Sequence, residues 1–170
     1  MKLSLTERLQ LINQYRILAK LEPEEAEAYK EFIDILQNAY EPLYYRFTEW
    51  MAKDEDAITQ EEAQYVYKVL AMFEALHLAI KDNGLALDDQ QTHRATFSGF
   101  DGNNEGRLLG FANAFCGERR YEDLKRDGEI PNSHGPMRSI YERMLTLWDQ
   151  MGGIKNHRLT PGQVTQLLEA

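Results

Sequence analysis

The sequence predicts an all-α fold, a single compact multihelical domain of about seven to nine helices covering residues 1–170. Three observations carry this. Apolar residues recur at helical spacing along nearly the whole chain. Ser/Thr-x-x-Glu/Gln pairs stand before several apolar stretches, as helix capping boxes do. No alternating apolar–polar run bounded by hairpin turn residues occurs. A length of 170 residues suits one sizeable core, and 43% hydrophobic with 28% charged residues is ordinary for a globular chain. No repeat, low-complexity tract or clear linker divides it.

Each helix has its own signals. Ser4 and Glu7 form a capping box before Leu5, Leu9 and Ile12, and the helix they open runs to about Lys20. Pro23, followed by Glu24, Glu25 and Glu27, opens a second helix to about Tyr40. Pro42 imposes a break, and Tyr44, Tyr45, Phe47 and Trp50 mark an aromatic-rich helical segment beyond it. Asp54-Glu55-Asp56 is a short acidic connector. Thr59 and Glu62 then cap the clearest helix, whose stripe is Val66, Leu70, Phe73, His77 and Ile80; Asn83-Gly84 ends it.

Residues 84–93 read as a polar loop with room for one helical turn. A helix follows from about Gly102 to Cys116, and residues 119–126 suit one short helix. The stretch 130–135 is irregular. Pro136 opens a helix with Met137, Ile140, Tyr141, Met144, Trp148 and Met151 on one stripe, closed by Gly152-Gly153. Thr160-Pro161-x-Gln163 starts a short final helix.

The segment D-G-N-N-E-G, 101–106, resembles the front of a calcium loop. Asp101, Asn103 and Glu105 supply oxygens at the first, third and fifth positions, and Gly106 stands sixth. Ala112 at the twelfth position removes the bidentate ligand, so a metal site is not expected. The same residues read better as a helix start, with Asp101 as N-cap and Glu105 in the first turn. Arg94 and Arg107 flank that start, so the junction of Arg94, Asp101, Glu105 and Arg107 is the candidate site for a small anion or for acid–base chemistry. His77, Arg120 and Asn132 are its candidate companions.

Other readings are weaker. His77 lies on an apolar stripe without a partner histidine at helical spacing; His93, His134 and His157 are scattered, and no zinc motif occurs. Cys116 is the sole cysteine, which fits a reducing compartment, and the arginine that a C-x5-R phosphatase loop needs is replaced by Glu122. No nucleophile elbow, P-loop or dinucleotide fingerprint appears, so no cofactor is expected and the balance leans away from an enzyme. The run of Arg119, Arg120, Lys125 and Arg126 is the one hint of nucleic-acid binding. Interleaved acids and a net charge of -9 oppose it, so nucleic acid is not an expected partner. No run reaches about 18 apolar residues, and Glu7 and Arg8 interrupt the N-terminal apolar stretch, so no membrane partner is expected and the setting is cytoplasmic.

Tyr44, Tyr45, Phe47 and Trp50 exceed what one small helix needs internally, which makes them interface candidates. The expected function is therefore a non-catalytic, self-associating module, a homo-oligomer with a further protein partner. The alternative is an enzyme or small anionic-ligand binder at the 94–107 junction.

Four stretches carry a resemblance: L-T-E-R-L-Q-L-I-N-Q-Y at 5–15, E-A-L-H at 74–77, T-F-S-G-F-D-x-x-x-E-x-R-x-L-G-F at 96–111 and P-M-R-S-I-Y-E-R-M-L-T-L-W at 136–148. Together they resemble the YfbU family. The connector near 54 and the loop at 84–92 resemble it least. The resemblance implies a helical fold and a bacterial, cytoplasmic setting. It carries no catalytic residue across; Asn13, Tyr15, His77, Asp101 and Glu105 are the polar residues within the matching stretches.

Overall fold

The structure, a computed structural model, describes residues 2–117, 119–156 and 158–170; His157 lies outside them. Seven α-helices and five short 3₁₀ helices are present among the described residues, with two isolated β-bridges and no strand. The all-α expectation holds. Contacts gather into two units, residues 1–55 and 56–170, each with its own apolar cluster. The division falls inside the acidic connector 54–56, where charged side chains have no apolar face to bury.

In the first unit, α1 (Leu5–Leu21) begins at the expected capping box. Ser4 Oγ accepts from the Glu7 N–H at 3.3 Å, and the Glu7 carboxylate accepts from the Ser4 N–H at 2.7 Å. Pro23 starts a 3₁₀ turn, Pro23–Glu25, and α2 (Ala26–Gln37) follows. This helix stops short of Tyr40 because Ala39 adopts a positive φ of 52°. The segment Glu41–Phe47 is a 3₁₀ helix, not α-helix, with Pro42 in its first turn. Its three-residue repeat turns Tyr44 and Phe47 to one side. Both join the cluster of Ile12, Ile35 and Leu36, with Phe32 against Phe47 at 5.3 Å and Tyr44 against Phe47 at 5.6 Å.

In the second unit, α3 (Gln60–Asn83) is the central element. Thr59 and Glu62 make its capping box, and Gly84 closes it at φ 58°. Val66, Val69, Leu70, Met72, Phe73 and Leu76 are all buried, on more than one face, as expected of a helix surrounded by others. Helix α4 (Asp89–Ala95) takes up the second half of the loop expected at 84–93 and runs two residues past it. Asp88 and Gln91 form a capping box that a stretch without apolar periodicity conceals.

The next helix, α5, spans Gly106–Cys116, starting later than expected. Residues 119–126 are mostly irregular, with only a 3₁₀ turn at Glu122–Leu124, because Tyr121 adopts a left-handed conformation. The interleaved acids therefore do not pair at i,i+4 spacing among the described residues; Lys125 bonds Glu122 at 2.7 Å and the Gly117 carbonyl at 2.6 Å. Helices α6 (Arg138–Gln150) and α7 (Pro161–Leu168) complete the unit. Trp148, Tyr141 and Met144 of α6 and Val164, Leu167 and Leu168 of α7 are buried with α3. Each such side chain gains about 1.5–3 kcal/mol over exposure.

Candidate functional site

The junction around Asp101 is built from two distant segments laid side by side. Phe100 donates its N–H to the Pro131 carbonyl at 3.2 Å, and Ser133 donates to the Phe100 carbonyl at 3.1 Å. This single parallel bridge requires Gly99, whose φ is +84° and whose missing Cβ would lie 1.6 Å from the Pro131 oxygen. Asn132 accepts from the Gly102 N–H at 3.1 Å and the His134 N–H at 3.0 Å, so one side-chain oxygen ties both segments.

Asp101 and Glu105 have roles the sequence did not reveal. Asp101 is not the N-cap of α5; the residue at that position is Glu105. The Asp101 carboxylate instead organises the turn before the helix. It accepts from the Asn103 N–H at 3.0 Å and from the Asn104 side-chain amide. These bonds, the Asn104 amide first, hold its carboxyl below the usual range despite burial. Glu105 reaches away from its own helix. Its carboxylate accepts from the Asp101 N–H at 3.0 Å, the Arg138 N–H at 3.2 Å and, more distantly, the Met137 N–H at 3.5 Å. It thus caps α6, whose N-terminus lacks a capping side chain of its own. Tyr141 completes the knot by donating its hydroxyl to the Gly99 carbonyl at 3.0 Å. Burial chiefly pushes the phenol's titration up, so it stays a neutral donor.

The remaining candidates do not converge on this point. Arg107 pairs with Glu62 at 3.0 Å. Arg94 donates to the backbone oxygens of Leu168 and Ala170, at 2.9 and 3.2 Å. Arg120 lies over the Phe115 ring at 5.2 Å. His77 is half-buried with Nε2 2.9 Å from the Ala95 carbonyl; a carbonyl only accepts, so Nε2 carries the proton. The four-residue anion site expected from spacing is therefore not assembled. Cys116 ends α5 as a buried side chain whose thiol is pushed up by burial.

Beside the knot, under Ser98 and Tyr141, lies a partly enclosed cavity of about 260 Å³. Phe73, Met137, Ile140, Met144 and Leu167 form its apolar lining; Arg94 and Arg143 bring positive charge, and His93, Thr96 and Ala170 complete the wall. Arg143 donates to the Ser139 carbonyl at 3.1 Å, so among the described residues both guanidiniums bond only backbone oxygens and retain further N–H groups. Sequence reasoning missed Arg143, although it follows Ile140 by three residues and thus edges the apolar stripe of α6. A wider depression of about 600 Å³ along α3 and α6 is open, and its Lys68 and Asp149 neutralise each other at 2.8 Å, which leaves less for a ligand.

A family model, the YfbU domain, matches residues 1–170. The chain belongs to the YfbU family. The two longest stretches that resemble YfbU, 96–111 and 136–148, are the two that Glu105 and Tyr141 bind together. In this YfbU chain their specific pattern of glycine, acids and aromatics thus has a structural use: it builds the knot on which α5 and α6 start. Among the described residues no helix is long and apolar enough to cross a membrane.

Proposed function

We propose that this YfbU protein is a cytoplasmic, non-catalytic helical module that self-associates through its first unit and presents a further surface to a protein partner. One observation carries the reading. Nine of the twelve exposed large apolar side chains among the described residues fall within residues 2–55: Leu5, Leu9, Ile17, Leu21, Tyr40, Leu43, Tyr45, Trp50 and Met51. Exposed apolar surface concentrated in the smaller unit favours association. The interface candidates narrow accordingly. Tyr44 and Phe47 serve the first unit's core, whereas Tyr45 and Trp50 stay exposed. Light scattering across micromolar concentrations is expected to give a dimer or larger species; a monomer at tens of micromolar overturns the proposal.

The cavity supports a second reading, a small amphipathic anion with its apolar part against Met137 and Met144 and its charge toward Arg94 and Arg143. Benzoate is the simplest probe. Calorimetric titration is expected to show saturable binding, weakened about tenfold in Arg143→Gln. Absence of saturation at about 10 mM benzoate removes this reading.

A further inference from the structure

Helix α1 is apolar on two opposite faces. One face, with Ile12, Leu11 and Tyr15, packs into the first unit's core. The other carries Leu5, Leu9, Ile17 and Leu21, each more than half exposed, and exposed Asn13. These five residues are spaced by four, so they form one ridge of the helix surface. The ridge has the same pattern in both directions, two apolar residues on either side of one asparagine.

We infer that this ridge is the self-association seam, with α1 of a second copy lying antiparallel about a two-fold axis at Asn13. The inference rests on the proposed self-association and specifies its surface. In that register Leu5 faces Leu21 of the second copy, Leu9 faces Ile17 and Asn13 faces Asn13. Each residue that needs an apolar neighbour receives one, which is the self-complementarity a two-fold interface requires. The Asn13 amide, with both donor and acceptor, finds both on its symmetry mate, and a polar pair amid apolar ones specifies register.

Charge decides the orientation. The antiparallel register sets Arg16 against Gln10 and Lys20 against Thr6, all four exposed. A parallel register would set Arg16 and Lys20 each against its own copy. Like-charge contacts penalise the wrong arrangement. The 4-on-4 ridge packing that suits such a stripe crosses at about 50° and keeps the two ridges alongside each other.

Two experiments on the full chain test the seam. Asn13→Cys is expected to form a covalent dimer under mild oxidation, because a residue on the two-fold axis meets itself within disulfide reach. The double variant Leu9→Glu, Ile17→Glu alters exposed positions only. It should keep its helical circular dichroism while its dimer dissociation constant rises at least about a hundredfold. Covalent dimer with the first variant and loss of dimer with the second is the result expected. An undiminished oligomer in the double variant overturns the seam and leaves self-association to another surface, such as Tyr45 and Trp50. A monomeric wild type overturns both.

Discussion

Gly99→Ala is expected to be among the most damaging single substitutions in this chain. Two costs coincide. The residue sits at φ +84°, where an L side chain is strained, and its new Cβ would meet the Pro131 carbonyl oxygen at 1.6 Å and carbon at 2.5 Å. Backbone cannot rotate away as a flexible side chain can, so the 97–102 and 130–133 segments must part. Parting them breaks the bridge at Phe100 and the Tyr141 bond to the Gly99 carbonyl. A loss of at least about 4 kcal/mol follows, lowering the melting temperature by more than about 10 °C. Gly110→Ala provides the control. Gly110 lies inside α5 with nothing beyond its own helix backbone within 4 Å of its added Cβ, so alanine should stabilise by about 0.5–1 kcal/mol. Thermal melts of both variants by circular dichroism check the pair, and a Gly99→Ala melt within two or three degrees of wild type would falsify the close approach.

The second large effect is at Glu105. Alanine there leaves the N–H groups of Asp101, Arg138 and Met137 without their acceptor. The Asp101 donor is buried and the other two are part-buried; a buried donor without a partner costs about 1–3 kcal/mol, and loss of a helix cap about 1 kcal/mol. Water reaching the vacated space offsets part of this, so about 2–4 kcal/mol is expected overall. Glu105→Gln should recover little, because its amide turns a donor toward donors. Hydrogen exchange separates a cap from a general packing role: the Arg138 amide should exchange faster in both variants. Unchanged protection at Arg138 would mean that Glu105 does not cap α6.

The alternative of chemistry at the 94–107 junction meets these same observations. Asp101 and Glu105 are occupied by backbone and amide donors, and Arg94 and Arg107 point to separate partners. What the junction offers a ligand is its neighbour, the cavity under Ser98 and Tyr141. Spacing could place Arg94 and Arg107 near one helix start, yet it could not show that α7 would claim Arg94. Similarly, nothing in residues 99–105 announces Pro131, Asn132 or Arg138 as partners, since those contacts close loops of about thirty residues.

Local chemistry made most of the helices legible from sequence. The capping boxes at Ser4, Thr59 and Thr160, Gly84 after α3 and the stripe of Met144 and Trp148 need only neighbours three or four residues away. Asp88 with Gln91 carried the same local signal for α4 without an apolar stripe to draw attention to it. By itself, then, the sequence determined the all-α class, the main helix starts and the absence of an EF-hand ligand at Ala112. Tertiary structure alone decided that Glu105 caps α6 and not its own helix, that Gly99 is pressed against Pro131, and that Tyr44 turns inward while Tyr45 and Trp50 do not. The physical reason is one of range. Helix capping and periodicity are settled within one or two turns, whereas the partner of a carboxylate or an aromatic face is whichever distant segment the packing brings to it.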